Sequence, residues 1–262
     1  MQPRIERIKA CLNGARRSDE HPAVPVTPEE LAAEAAAAVT AGAEALHLHP
    51  RDRDGAQSMH SDDVAAAVTA VRRACPAVPV GVTTGLWITD GDADRRLATA
   101  GRWADLPAAA RPDFASVNVS EPGFIDLADA LRRAGVAVEA GVWSTADAHV
   151  LAASQVEVIR ILVEIIDGTT ETADAILARL DDLELTAPRL LHGEDETCWP
   201  LVAHAARCGL PTRIGLEDTL TGPAGEPIAG NADLIRHALA VWSAAALTAP
   251  DPRSAAPRGR AR

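Results

Sequence analysis

A single-domain (β/α)8 barrel is the fold the sequence predicts, and three observations predict it. From Ile5 onward, short β-branched runs alternate with Ala- and Leu-rich amphipathic stretches, and the alternation gives eight units. The chain has 262 residues, a length that suits one α/β barrel. It shows no composition break that would mark a second domain, and no GxGxxG or P-loop behind a strand, which leaves an open dinucleotide-binding sheet poorly supported.

The first strand is read at 7–12. The helix after it, over 31–40, has the clearest entry signal in the chain: Thr27 as N-cap, Pro28 at the first helical position and Glu30 closing a capping box, with Gly42 to stop it. The second strand is ALHLH at 45–49, with a helix at 61–74. Next come VPVGVT at 78–83 and a helix at 93–100, FASVN at 114–118 and a helix at 125–134, then VAVEAGV at 136–142 and a helix at 146–153. The last three units pair strands at 156–165, 189–192 and 212–216 with helices at 170–183, 197–208 and 231–246. Residues 1–249 are therefore expected to form one catalytic barrel. Residues 250–262, an aperiodic Pro, Ala and Arg segment, are expected to be a disordered tail.

Composition narrows the function classes. Hydrophobic residues make up 47% and aromatics 3%, with no Tyr, so the core must be built from aliphatic side chains. A formal charge of −12, with the only basic cluster in the tail, argues against a nucleic-acid partner. No run reaches the roughly 20 apolar residues of a membrane span, and the charged N-terminus does not read as a signal peptide. Cys11, Cys75, Cys198 and Cys208 lack CxxC spacing, so they read as reduced core thiols in a cytoplasmic protein.

The chemistry concentrates in EALHLHPRDRDG at 44–55. His47 and His49 stand at i and i+2, so a strand aims both the same way, and in a barrel strand that way is inward. They fall at the C-terminal end of the strand, where barrel active sites are built. Two imidazoles make half of a tetrahedral zinc site, which in catalytic cases has three protein ligands and one open position. In TRIGLEDTL at 212–220, Arg213, Gly215 and Glu217 alternate, which makes Glu217 the candidate third ligand from the strand beside the first.

Together, LNGA at 12–15, PVTPEEL at 25–31, AGAEALHLHPRDRDG at 41–55, VTTG at 82–85, FASVN at 114–118, TRIGLEDTL at 212–220 and IAGNADLI at 228–235 resemble the β-keto acid cleavage enzymes, over most of the chain. The resemblance implies a zinc-dependent reaction of a β-keto acid with acetyl-CoA that yields acetoacetate and a new CoA thioester. It implies His47, His49 and Glu217 as metal ligands, and Arg213 and Asp218 as catalytic residues. Thr83 and Ser116 match two hydroxyl residues that hydrogen-bond near that aspartate. Zinc as Lewis acid, with Asp218 as base for the α-proton and Arg213 orienting it, is coherent with a retro-Claisen cleavage. A Schiff-base route is disfavoured, because Lys9 is the only lysine in the chain. The likeness also implies a homo-oligomer, a tetramer or dimer.

Arg16, Asn118 and Glu139 are expected to contact the substrate. Arg16 stands where the aminohexanoate-cleaving relatives have a glutamate, which would suit an anionic tail. Gly141 and Ser144 stand where the family carries further acids, and ILVEIIDGTTETA lacks the family's Gly-rich loop after its sixth strand, so the acyl acceptor is open. In LHGEDE, His192 is read either as a hydrogen-bonded structural residue or, with Glu194, as a pocket residue. The run Arg51-Asp52-Arg53-Asp54 is read, for all but Arg51, either as solvated charge or as a structural ion pair at the barrel rim; Arg51 sits nearest the histidines. Two rival readings are a zinc hydrolase or other C–C lyase that does not use CoA, and a barrel that has kept its metal site only to bind or regulate.

Overall fold

The computed structural model describes residues 5–248, so the segment expected to be a tail lies outside the described residues. Eight strands alternate with eight helices. The strands are β1 (Ile8–Cys11), β2 (Ala45–Leu48), β3 (Val80–Thr83), β4 (Phe114–Asn118), β5 (Ala137–Val142), β6 (Arg160–Ile165), β7 (Arg189–Gly193) and β8 (Thr212–Ile214). The helices are α1 (Pro28–Thr40), α2 (Ser61–Ala74), α3 (Ala93–Gly101), α4 (Phe124–Arg133), α5 (Thr145–Ser154), α6 (Thr170–Asp182), α7 (Cys198–Arg207) and α8 (Asn231–Leu247).

All strand pairs are parallel, in the spatial order β7-β6-β5-β4-β3-β2-β1-β8. The remaining seam is bridged where Leu191 N–H donates to Pro211 O at 3.1 Å, so the sheet curls into a barrel that is nearly closed. The capping box at Thr27 and Glu30 forms as its spacing requires. Several strands are shorter than their apolar runs. Pro79 has no N–H to give, so pairing on β3 begins at Val80. Strand β8 stops at Ile214, because the chain turns at Gly215.

The aliphatic core fills the space between barrel and helices, with Leu46, Leu48, Val80, Val82 and Val117 among its buried strand residues. Cys11, Cys75 and Cys198 are buried as expected, whereas Cys208 at the end of α7 is exposed. No helix among the described residues is long and apolar enough to cross a membrane.

Inside the barrel lies a charged layer. Lys9 on β1, Glu139 on β5 and Arg160 on β6 are all buried; Lys9 Nζ donates to Glu139 Oε2, and Arg160 Nε donates to Oε1 at 2.7 Å. The Phe114 ring lies 5.8 Å from the ammonium and 5.6 Å from the guanidinium. Glu139 is thus a structural counter-ion away from the pocket wall, which corrects its expected contact with substrate: both its oxygens are already engaged. Burial opposes its ionisation, but the two cations outweigh burial and hold its carboxyl well below the ordinary range.

Glu139→Gln should strand two buried cations and cost about 3–5 kcal/mol in chemical denaturation. The carboxyl's folded-state pKa is depressed, so its stabilisation is present above the unfolded-state value near ~4.3 and is lost as pH falls through the folded value. Stability curves from pH 7 down to 3 should therefore be flatter for Glu139→Gln than for the wild type.

Candidate metal centre and active site

His47 sits within β2 and His49 one residue beyond its end, and both rings enter the barrel mouth with centroids 5.2 Å apart. Asn13, fully buried just after β1, fixes the second histidine. Its Oδ1 accepts from His49 N–H at 2.9 Å, and its Nδ2 donates to His49 O at 3.0 Å. Arg51, the residue of its run set apart from the solvated reading, is a clamp: its guanidinium donates to Gly14 O at 2.7 Å and Arg16 O at 2.8 Å, tying the β1–α1 loop to the β2 end.

Glu217 arrives by a turn instead of by strand alternation. After Ile214 the chain folds back, with Asp218 N–H on Gly215 O at 2.9 Å and Glu217 N–H on Cys11 O at 3.3 Å. Gly215 makes this possible, since a Cβ there would lie 1.8 Å from the Cys11 carbonyl oxygen. Gly14, at φ +53°, leaves the space that Glu217 Cγ occupies.

The three side chains converge as expected. Glu217 Oε2 lies 3.7 Å from His47 Nε2 and 3.6 Å from His49 Nε2. Glu217 Oε1 accepts from Arg213 at 3.0 Å, which leaves Oε2 buried with no hydrogen-bond donor. His49 Nδ1 meets Gln57 Oε1 at 2.6 Å; a proton on Nδ1 donates there and frees the Nε2 lone pair for the centre. Burial lowers the His47 pKa to about 3, so that imidazole is neutral, and Glu217 is ionised because the Arg213 guanidinium beside it outweighs its burial. Two imidazoles and one carboxylate, their facing atoms within 4.8 Å of one another, fit a divalent cation with a further position left for ligand.

Arg213 Nε and an Nη also donate to Asp218 Oδ1 at 3.0 and 2.7 Å, while Asp218 Oδ2 is buried without a partner. Burial outweighs Arg213 here and raises the Asp218 pKa to about 7. The centre opens into a cavity of about 410 Å³. Thr83, Ser116, Asn118 and Arg16 line it, whereas Asp218 is fully buried behind that wall. Thr83 and Ser116 are register neighbours on β3 and β4, but neither hydroxyl bonds Asp218; Thr83 Oγ1 accepts from Gly85 N–H at 3.1 Å. Arg16 is not a free cation, because it pairs with Asp195 and lies 3.4 Å from Glu20.

The acid and aromatic side of this cavity escaped sequence reasoning in part. Glu194 lines it, as one reading of LHGEDE had it, but Glu164, Trp87 and Trp143 also do, and no motif announced them. His192 is neither exposed in the pocket nor hydrogen-bonded among the described residues. It is buried, with ring nitrogens 3.8 Å from Asp218 and from Glu164, and burial with Arg213 beside it keeps it neutral.

A barrel with a candidate metal-ligand trio and a buried Arg–Asp pair at its C-terminal mouth has the build of a TIM-barrel enzyme. Residues 7–256 match the model of the beta-keto acid cleavage enzyme family, and the chain belongs to that family. It is 24% identical over 249 residues to the 3-keto-5-aminohexanoate cleavage enzyme of Acetoanaerobium sticklandii, covering 87% of this chain and 88% of that protein. A shorter stretch of 79 residues is 42% identical to the enzyme of the same name from Fusobacterium nucleatum subsp. nucleatum, covering 30% of this chain and 29% of that one. Among solved structures, ObcA in complex with oxaloacetate superposes with a TM-score of 0.66 at 19% identity, covering 87% of this chain and 65% of ObcA, which supports the barrel fold.

Titration of the metal-free protein with Zn²⁺ or Co²⁺, followed by calorimetry or the Co²⁺ visible spectrum, should give one tight site per chain. Glu217→Gln should abolish it. Gln57→Ala, which removes the partner of His49 Nδ1, should weaken it by about 10–100-fold.

Proposed function

We propose that this chain cleaves a small β-keto acid at its carbon–carbon bond, with zinc held by His47, His49 and Glu217 and acetyl-CoA as the acyl acceptor. The products would be acetoacetate and a new CoA thioester. The observation that carries this reading is the convergence of three candidate ligand atoms at the barrel mouth beside Arg213, which bonds both Glu217 and Asp218. A zinc ion there would supply a Lewis acid for the keto and carboxylate oxygens of the substrate.

The remaining work falls to the chain's own groups. Asp218 Oδ2 has no donor and the carboxyl titrates near 7, so it can accept a proton from the α-carbon at neutral pH. Its burial means that substrate reaches Oδ2 only as the neighbouring side chains give way. Arg213 keeps the carboxyl oriented through Oδ1, and its charge favours the ionised form. The Thr83 and Ser116 hydroxyls offer donors on the cavity wall. The family likeness supports assembly as a homo-oligomer, a dimer or tetramer, and the composition supports a cytoplasmic setting.

One observation favours a second reading, cleavage without CoA. The chain passes from β6 to α6 through only residues 166–169, with Glu164 and Ile166 on the cavity wall, where the family resemblance leads one to expect a Gly-rich loop.

Incubation of the zinc-loaded protein with β-keto acids should release acetoacetate only when acetyl-CoA is supplied. Asp218→Asn should lower kcat by about 10²–10⁴-fold with zinc still bound. Keto-acid cleavage at full rate without acetyl-CoA would assign the second reading, and zinc binding with no turnover on any keto acid would overturn both.

A further inference from the structure

The chain has only seven aromatic rings of the Phe and Trp types, two Phe and five Trp, yet Trp87 and Trp143 both line the one cavity at the metal centre. Trp143 follows β5, and its indole N–H donates to Glu164 Oε2 at 2.9 Å. Glu194, just after β7, hydrogen-bonds Glu164 and completes a carboxyl pair beside that ring. Burial and the Glu164 charge raise the Glu194 pKa to about 9, so Glu194 carries a proton at neutral pH.

The charge balance of the cavity shows what this wall lacks. Five carboxyl side chains line it, Glu20, Glu164, Glu194, Asp195 and Glu217, against two guanidinium groups, Arg16 and Arg213. Both guanidinium groups are already paired, Arg16 with Asp195, and Arg213 with Glu217 and Asp218 and, at 3.6 Å, with Glu164 and Glu194. With a divalent ion bound and one proton on the Glu164–Glu194 pair, the lining is neutral. A keto acid's own carboxylate then tips it negative by one charge. An anionic tail would add a second charge beside Glu164 and Glu194, with no free cation on the wall to meet it.

Building on the β-keto acid reading, we propose that Glu164, Glu194 and the Trp143 ring form the subsite for the substrate's far end, and that this end carries an amine-derived cation. Carboxyl groups supply the charge and the hydrogen-bond acceptors an ammonium group takes, and the Trp143 indole N–H holds the Glu164 carboxyl in place for it. This subsite stands against the expectation that Arg16 selects an anionic tail, since the Arg16 charge is already paired with Asp195 and Glu20. The cation meets the β6 and β7 wall, at residues that no segment of the family resemblance includes.

The test uses the full-length zinc-loaded protein with acetyl-CoA and β-keto acids of equal length ending in ammonium, hydroxyl, methyl or carboxylate groups. The wild type should favour the ammonium substrate over the methyl one by at least about tenfold in kcat/KM, and over the carboxylate one by more. Glu164→Gln and Glu194→Gln, each checked for an unchanged melting temperature and zinc content, should cut the ammonium-to-methyl ratio by about tenfold, mainly through KM. Preference for the carboxylate tail, or an equal loss on every tail in both variants, would overturn the proposal. Calorimetry with the matching 3-hydroxy acids, which cannot be cleaved this way, reads the subsite even without turnover. There, ammonium-ended binding that exceeds the methyl and carboxylate forms, and weakens in Glu194→Gln, supports the subsite even if cleavage fails. No such preference rejects it even if cleavage succeeds.

Discussion

The Arg213 guanidinium is the contact on which the mouth of this barrel depends. It is buried, donates to Asp218 Oδ1 and Glu217 Oε1, and lies 3.6 Å from carboxyl oxygens of both Glu164 and Glu194. Four carboxyl groups gathered in so dry a place would otherwise take up protons, because burial penalises their charged forms. One fixed cation sorts them. Glu217 stays ionised and presents an unbonded oxygen to the imidazoles, Asp218 titrates near neutrality, and Glu194 stays protonated at neutral pH.

The same logic runs one layer down. Lys9 and Arg160 hold Glu139 ionised beneath the cavity, over the Phe114 ring. Buried charge on this scale contributes little net stability against an apolar core, but removing one partner is costly, so the layer acts as a rigid floor. Above it, the loops are tied by polar side chains: Asn13 holds the His49 backbone, Arg51 holds the β1–α1 loop, and Asn231 Oδ1 accepts from Leu216 N–H at 2.9 Å while its Nδ2 donates to Leu12 O at 3.0 Å. These bonds set the ligand atoms at their mutual distances without any ladder hydrogen bond between β2 and β8, which flank β1.

Much of this was readable before any fold was seen. The Thr27 capping box forms as its spacing demands, because capping is settled within four residues. The eight βα units and the shared face of His47 and His49 are likewise short-range consequences of side-chain period. Glu217 was reached through a partly mistaken route: the alternation behind it ends at Ile214, and the turn at Gly215 delivers the carboxylate instead. Glu139 and Arg16 look like ordinary pocket residues in the sequence, since nothing local tells a charge that faces substrate from one already neutralised.

The sequence by itself determined the barrel, its element order, the inward histidine pair and the family, because each rests on local pattern or on motifs that survive as strings. Only the tertiary structure decided which charges meet. Lys9 finds Glu139 across 130 residues, Arg16 finds Asp195 across 179, and Trp143 finds Glu164 from the neighbouring strand. The reason is that an ion pair or hydrogen bond acts over a few ångströms in space whatever the distance along the chain, and closing the barrel is what brings those atoms within that range.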